Sequence, residues 1–354
     1  MKTAIFLGAG TASAEGAPTQ SKLFMNYFEL IQTRNSNVMP EMESELRTFF
    51  FKMFNIDIDS PNLSSVEFPT FEEVLGILDL ADMRNESFRN FSNLNIAANS
   101  GRLKRLRLYL ILLLADILHE KLKAPTGLHI ELVKKLKEMG ELSETIFITT
   151  NYDILIDNAI INLFPDFLAD YGIEFINYNS DDMFPKPHDK GVQVFKLHGS
   201  LNWLYCPTCN SLKLTPAEKG VVKLITDPAM AICDICETIY SPLIVPPTFF
   251  KDISNVFLGL VWNKVEKALH HIDHIIFCGY SFPDADIHVK YLIKRIQSVR
   301  ATPITISVLN NYDGKNELTA REEEVRYRRF LGIRTNYTNY SFENFVENPN
   351  LLIS

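Results

Sequence analysis

This sequence has no excess of positive charge and no apolar run of membrane-spanning length. Its 354 residues carry a net charge of −8, which argues against binding nucleic acid through bulk positive charge, although a local basic patch stays open. The apolar stretch from Tyr109 to Leu118 is shorter than the ~18 residues of a membrane span, so we expect a buried helix and no membrane association. Met1 leads directly into a strand-like run without the features of a signal peptide, so we expect a cytoplasmic location.

Cysteine is scarce, and its spacing is informative. Four of the five cysteines form two Cys-x-x-Cys pairs, Cys206/Cys209 and Cys233/Cys236, with 23 residues between the pairs. This spacing is typical of a structural zinc site with four thiolate ligands, which leaves no position for a catalytic water. A thioredoxin-like redox pair is the alternative, but two pairs without a matching βαβ context favour bound Zn²⁺ in a reducing compartment. The fifth cysteine, Cys278, is expected to be a buried core thiol.

Short apolar runs alternate with helical patterns along the chain. Most of the runs lack strict polar alternation, as strands buried on both faces of a parallel sheet do. The runs are Thr3–Leu7, Thr145–Thr149, Val192–Leu197, Ile272–Cys278 and Ile304–Leu309. The helical patterns are Arg102–Lys123, Asp153–Leu163, Asn255–His271, Asp286–Ser298 and Thr319–Phe330. This alternation predicts an α/β fold with a Rossmann-like, doubly wound parallel sheet.

Two stretches interrupt the alternation, so we predict one domain, 1–354, that carries two additions. The predicted Rossmann-like core comprises residues 1–20, 141–202 and 243–335. Residues 21–140 are predicted to be an inserted helical region, and residues 203–242 a small zinc-binding module. The helical insertion is a candidate surface for self-assembly or for a partner, and ordinary packing of a second lobe explains it equally well.

Small or polar residues follow the predicted strands at their carboxyl ends, the edge at which open α/β sheets bind ligands. In the first turn, Gly8-Ala9-Gly10, glycines let backbone N–H groups approach a phosphate near a helix N-terminus. The spacing is not that of the Gly-x-Gly-x-x-Gly fingerprint, so a turn without a ligand stays an alternative. Asn151 and Asp153 follow the second strand, and either residue could instead cap the next helix.

His198 ends the third predicted strand in a His-Gly-Ser turn, eight residues before the first cysteine pair. A lone histidine is usually structural, but one at a strand end near other polar groups is a candidate acid or base. Gly279 and Ser281 follow the fourth strand, and Asn310 follows the fifth. Each could be an ordinary loop residue, whereas together the five strand ends predict one ligand-binding edge.

In order and spacing, these motifs resemble the sirtuin family. Gly8-Ala9-Gly10, continued to Gly16 and Pro18, resembles the family's cofactor loop. Thr150-Asn151-Tyr152-Asp153 resembles the family's Gln-Asn-Ile-Asp segment. His198-Gly199-Ser200 resembles its catalytic histidine turn, and Gly279-Tyr280-Ser281 resembles its Gly-Thr-Ser turn. The resemblance implies NAD as the ligand and a structural Zn²⁺. The cofactor-binding residues that it implies are Gly8, Ala9, Gly10, Gly16, Pro18, Thr150, Gly279, Ser281 and, at the adenosine ribose, Asn310.

The departures from the sirtuin pattern bear mainly on the binding of an acyl-lysine peptide. Thr19-Gln20-Ser21 stands where sirtuin deacylases have Asp-Phe-Arg, and Ala12 and Ala14 replace two loop serines. Pro246 and Pro247 lie at the edge where an acyl-lysine peptide would add as a strand, and proline has no N–H to offer it. The whole pattern is more similar to bacterial sirtuin-like proteins that hydrolyse NAD in antiphage defence.

The resemblance therefore implies an NAD⁺ glycohydrolase that cleaves the nicotinamide–ribose bond. Asn151 would hold the ribose or the attacking water, and His198 would act as a base on that water or on the ribose hydroxyls. Asp153 would stabilise the developing positive charge or bind the carboxamide. The alternatives are an NAD-dependent protein-lysine deacylase and a non-catalytic NAD-sensing module. A homo-oligomer and a HerA-type ATPase or other trigger-sensing subunit are the expected partners, because an NAD-depleting enzyme must be restrained.

Overall fold

The computed structural model of the protein describes residues 1–33, 39–60, 62–91, 101–163, 169–178, 191–215, 220–221, 224, 231–245, 255–311 and 317–353. Pro246 and Pro247 lie outside these ranges, so the expectation about the peptide edge stays a prediction. Within them, no helix is long and apolar enough to cross a bilayer.

Nine strands in the described residues form two sheets. They are β1 (Thr3–Leu7), β2 (Thr145–Thr149), β3 (Val194–Lys196), β4 (Gly199–Cys206), β5 (Ser211–Leu214), β6 (Ser241–Ile244), β7 (His274–Cys278), β8 (Thr305–Leu309) and β9 (Asn336–Thr338). The large sheet is parallel, in the order β3-β2-β1-β7-β8-β9, and the small sheet is antiparallel, in the order β5-β4-β6. The strand order of the large sheet reverses between β1 and β7, as it does in doubly wound folds.

Helices connect the parallel strands and confirm the predicted α/β fold. In the described residues they are α1 (Ala9–Ala14), α2 (Leu23–Thr33), α3 (Pro40–Phe54), α4 (Phe71–Met83), α5 (Arg102–Lys121), α6 (Leu128–Glu138), α7 (Leu155–Leu163), α8 (Val256–Leu269), α9 (Ile287–Val299), α10 (Glu317–Leu331) and α11 (Phe342–Glu347). The predicted elements are found, with ends displaced by up to two residues. Helix α7 begins two residues later than predicted because Asp153 forms the turn before it.

The apolar side chains form two clusters, one around the large sheet and one among α2–α5. Tyr109 to Leu118 lies in α5 and is buried in the second cluster, as expected from its composition. Cys278 is fully buried in the sheet cluster, and burial raises the pKa of its thiol, so the expected core thiol is confirmed. Helix α6 lies within the predicted insertion but packs on the sheet, so the boundary at residue 140 stays a prediction.

Strand β4 contributes to both clusters, and its pairing with β6 changes register between Gly199 and Leu204. Trp203 packs in the sheet cluster, whereas Leu201 and Leu204 pack in the helical cluster, so simple alternation does not hold along this strand. Cys206 and Cys233 also belong to the helical cluster. The cysteine-bearing segment is therefore packed against the helical region as well as joined to the sheet.

A buried carboxylate ties the end of α1 to the start of α6. Glu15 is 2% exposed, and its Oε1 accepts from the backbone N of His129 at 2.8 Å and lies 2.8 Å from His129 Nδ1. Its Oε2 accepts from Thr126 Oγ1 and from Gly127 N, each at 2.8 Å. Burial alone would raise the pKa of Glu15, but the hydrogen bonds from His129 and Thr126 outweigh burial and lower it to about 2.

Glu15→Gln should lower the free energy of unfolding by about 1–3 kcal/mol at neutral pH, because the amide turns an N–H toward backbone donors. The folded-state pKa of Glu15 is about 2 and its ordinary value is 4.5. The carboxylate's contribution is therefore complete above about pH 4.5 and is lost as the pH falls toward 2. Urea denaturation of both proteins across this range measures the difference. Glu138→Gln, at an exposed position of α6, is the matched control. A loss at Glu15 that stays constant in acid would contradict the assignment.

Candidate functional site

The turns after β1 and β7 pack backbone against backbone. Gly8 N donates to Cys278 O at 2.9 Å, and Gly10 N donates to Gly279 O at 2.8 Å. A Cβ on Gly10 would lie 2.8 Å from the Cα of Gly279, and a Cβ on Gly8 would lie 2.5 Å from the Cα of Tyr280. Glycine is therefore required at both positions for this close approach. Both N–H groups already donate to protein carbonyls, so they join the two turns at the switch point of the sheet and are not free to approach a phosphate.

Asn151 follows β2 and reaches the turn after the neighbouring strand β1. Its Nδ2 donates to Gly8 O at 2.9 Å. Its backbone N donates to Thr149 Oγ1 at 2.9 Å, and that hydroxyl donates to Leu7 O at 2.9 Å. The side chain is thus directed at the glycine turn rather than at helix α7, and it is partly exposed.

Asp153 lies close to Asn151 but has a different environment. It is 6% exposed, and its Oδ1 accepts from Leu155 N at 3.0 Å in the turn that leads into α7. Its backbone oxygen accepts from Lys196 Nζ at 2.6 Å. The structure thus gives Asp153 the helix-initiating contact that was one of its two alternatives, and its proposed charge-stabilising role stays a prediction.

His198 lies just beyond β3 and faces a carboxylate from the far side of the switch point. It is 1% exposed, and its Nε2 is 3.4 Å from Oδ1 of Asp286, which is itself 2% exposed. The Oδ2 of Asp286 accepts from Tyr280 Oη at 2.7 Å. The Tyr152 ring lies 6.3 Å from the imidazole, centroid to centroid. Sequence reasoning did not include Asp286 in the site, since it appeared only as the start of the predicted helix.

Gly199 allows β6 to pass next to the histidine. Its φ is +84°, and a Cβ at this position would lie only 1.9 Å from Leu243 O. The next residue after β6, Val245, donates its N–H to His198 O at 2.9 Å, and Val245 O accepts from Tyr152 Oη at 3.1 Å. The backbone of His198 is therefore fixed by the small antiparallel sheet.

A buried ion pair lies beneath the strand end that carries the histidine. The Nζ of Lys196 is 2.9 Å from Oδ2 of Asp157, and the two side chains are 0% and 1% exposed. Lys196 Nζ also donates to Ser200 Oγ at 2.7 Å, and Ser200 Oγ donates to Asn202 Oδ1 at 2.6 Å. Removal of one partner from such a pair typically costs about 3–5 kcal/mol, because the other charge is left buried and uncompensated. The network therefore holds β3, α7 and β4 in one arrangement.

The remaining predicted ligand-binding residues lie around the same edge. Ser281 is exposed, and its backbone oxygen accepts from Arg326 Nη1 at 3.1 Å. Asn310 is 7% exposed, and its Nδ2 donates to Glu323 Oε2 at 2.7 Å and to Tyr337 Oη at 3.1 Å. The other predicted residues, Ala9, Gly16, Pro18 and Thr150, are at least partly exposed at the ends of α1 and β2. Their cofactor contacts stay predictions.

The four paired cysteines form one cluster. The Sγ atoms of Cys206 and Cys236 are 3.4 Å apart, those of Cys209 and Cys233 are 3.7 Å apart, and all four lie within 4.8 Å of one another. A tetrahedron with Zn–S bonds of about 2.3 Å has sulfur–sulfur edges of about 3.8 Å. Hydrogen bonding to Thr238 lowers the pKa of Cys236, whereas burial raises the pKa of Cys206, so the geometry rather than the pKa values supports a metal site. The donor set therefore fits a four-thiolate Zn²⁺ site.

One protein-family model and several solved structures match the chain. A SIR2-like domain model matches residues 145–328, slightly more than half of the chain. The structure of Sir2Tm bound to a propionylated peptide is 15% identical, with a TM-score of 0.42, and the match covers 98% of this chain and 90% of that one. Sir2 bound to a p53 peptide and NAD⁺ is 14% identical, with a TM-score of 0.40 and the same coverage of both chains. No curated protein sequence matches the chain.

Cys206→Ser should remove the one equivalent of zinc that the cluster is expected to hold, and it should lower the unfolding temperature. The physical reason is that the binding free energy of a structural metal site is also folding free energy. Metal analysis of the purified protein and thermal unfolding measure the two effects. Cys278→Ser, outside the cluster, is the matched control and should keep full zinc content. A wild-type protein that folds without any zinc would contradict the assignment.

Proposed function

Because this chain belongs to the SIR2-like family, we propose that it hydrolyses NAD⁺ at the nicotinamide–ribose bond and releases nicotinamide and ADP-ribose. The resemblance to sirtuins that the motifs indicated is confirmed at the level of the family. Family membership supports a sirtuin-type activity that depends on NAD⁺. The choice of water as the acceptor is the finer part of the proposal.

One observation carries the proposal: two chemically suited side chains follow neighbouring parallel strands beside the glycine turn. Asn151 follows β2, and its Nδ2 donates to Gly8 O at 2.9 Å. His198 follows β3, which pairs with β2. The turns after β1 and β7 meet at the adjacent switch point, the position where doubly wound sheets bind dinucleotides.

The reaction requires orientation and charge stabilisation more than covalent chemistry. The C1′–N bond breaks with its electron pair moving to the positively charged nicotinamide nitrogen, which leaves neutral nicotinamide and an oxocarbenium-like ribose. A water oxygen then bonds to C1′, and its proton is released. In the proposal, Asn151 orients the ribose or the water, and His198 accepts the proton from the water or from a ribose hydroxyl. The Asp153 carboxylate stabilises the developing positive charge or binds the carboxamide.

The other predicted residues would hold the rest of the dinucleotide. Gly8, Ala9, Gly10, Gly279 and Ser281 would lie along the pyrophosphate, and Asn310 near the adenosine ribose. The Zn²⁺ would brace the small antiparallel sheet whose first strand begins next to the histidine. It has no step of its own in the reaction, because four thiolates complete its coordination.

The segment in place of Asp-Phe-Arg supports water over an acyl-lysine as the acceptor. Gln20 donates its Nε2 to a carboxylate oxygen of Glu72 at the start of α4, so this segment is joined to the helical region. An NAD-depleting effector of antiphage defence is the biological role that the resemblance implies. A homo-oligomer and a HerA-type or other trigger-sensing partner stay predictions.

Asn151→Ala and His198→Ala should each reduce nicotinamide release by roughly 10²-fold or more, because each removes a group that acts on the same step. Release is followed chromatographically with NAD⁺ as the substrate, and circular dichroism checks that the variants are folded. His271→Ala, at an exposed position, is the matched control and should retain wild-type turnover. Near wild-type release by either site variant would refute the assigned chemistry.

The product profile distinguishes the proposal from its two alternatives. With NAD⁺ alone, the active protein should form ADP-ribose, and an acetylated peptide should neither be required nor accelerate turnover. O-acetyl-ADP-ribose with a matching loss of peptide acetyl groups would instead establish a deacylase. Binding of NAD⁺ without any nicotinamide release, under conditions in which the expected partner is present, would favour the sensing module.

A further inference from the structure

The carboxylate of Asp286 is placed in an unusual way for the first residue of a helix. It occupies the position before α9, where an aspartate ordinarily accepts hydrogen bonds from the helix's first N–H groups, but its side chain makes no capping bond. Both oxygens are directed elsewhere. Oδ1 lies 3.4 Å from His198 Nε2, and Oδ2 accepts from Tyr280 Oη at 2.7 Å.

The loop from β7 to α9 holds this carboxylate in place at a cost in backbone strain. Phe282 has a φ of +52°, a left-handed conformation that is strained for a bulky residue. Its ring is fully buried and stacks on Tyr327 with centroids 4.8 Å apart. Lys290 Nζ lies 5.1 Å from the centre of the same ring and donates to Asp284 Oδ1 at 2.6 Å. The buried stacking of Phe282 on Tyr327 fixes the loop that leads to Asp286, whereas Asp284 is exposed.

Tyr280 has a defined role in the arrangement because it keeps its proton. Burial, and after it the negative charge of Asp286, raise the pKa of Tyr280 well above its ordinary value. The hydroxyl is therefore a donor toward Asp286 Oδ2. Of the two carboxylate oxygens, this leaves Oδ1 to face the histidine.

We propose that Asp286 is a positioning residue that keeps the proton of neutral His198 on Nε2 and stabilises the imidazolium when the ring accepts a second proton. The proposal rests on the proposed function, since that reaction is the source of the second proton. With Nε2–H directed at Asp286, the ring's lone pair is on Nδ1. The proton from the attacking water or ribose hydroxyl therefore goes to Nδ1, and none is transferred to Asp286.

The tautomer of His198 gives a test that does not depend on turnover. In Asp286→Asn, the amide oxygen should remain with the Tyr280 hydroxyl, because that buried donor needs an acceptor. The amide NH₂ then faces Nε2, which must become the acceptor, so the proton should move to Nδ1. Adding Tyr280→Phe frees the amide to turn its oxygen toward Nε2, and the double variant should recover the Nε2–H tautomer.

The measurements are the ¹⁵N chemical shifts of His198 in the histidine-labelled full chain, assigned by their loss in His198→Ala, and kcat and KM for NAD⁺. Asp286→Asn should invert the tautomer and lower kcat by roughly 10²–10⁴-fold with KM changed by less than about threefold. Asp284→Asn is the matched control, because it removes a carboxylate from the same loop that pairs with Lys290 instead. It should keep both the tautomer and kcat.

An unchanged tautomer in Asp286→Asn would overturn the proposal, as would an inverted tautomer with wild-type kcat. Inversion in Asp286→Asn that the double variant does not reverse would overturn the role given to Tyr280. If no protein releases nicotinamide, wild type included, under conditions in which the expected partner is present, the proposed function fails by itself. The comparison of tautomers among the three variants still decides whether Asp286 positions the histidine.

Discussion

The contact between the two glycine turns is the constraint on which the site depends. Gly10 and Gly279 approach so closely that neither position has room for a Cβ, and the backbones of β1 and β7 are joined directly. This approach leaves Gly8 O in reach of Asn151 from one side and brings Tyr280 to the other. The polar side chains of the site are therefore arranged around two glycine turns whose backbones are in direct contact.

A second constraint acts through strand β4. Its first residue follows the histidine, its last residue is a cysteine of the metal cluster, and its side chains pack into both apolar clusters. Gly199 permits the approach of β6, which fixes the histidine backbone through Val245. The cysteine cluster thus lies at the far end of the strand whose near end follows the histidine.

The sequence is most informative where burial is uniform. Strands β1, β2 and β7 could be predicted because parallel strands covered on both faces are continuous apolar runs, and the cysteine cluster because zinc fixes its own ligand spacing. Strand β9 was missed because its three residues, Asn336–Thr338, are polar and at least partly exposed. Asp286 was missed because its contact with His198 depends on the path of a strained loop, and no local pattern encodes that path. An aspartate before a helix has the same sequence signature whether it caps the helix or faces a histidine.

The carboxylate of Glu15 has a consequence for how the chain tolerates change in length. Its donors Thr126, Gly127 and His129 are more than 110 positions away along the chain. These hydrogen bonds therefore join the two ends of the helical region that lies between α1 and α6. The entropy of closing such a loop grows only slowly with the number of residues in it. The helical region between α1 and α6 can therefore gain or lose helices through evolution without moving the strand ends on either side of it. A new recognition surface can form there while the positions of the site residues stay the same.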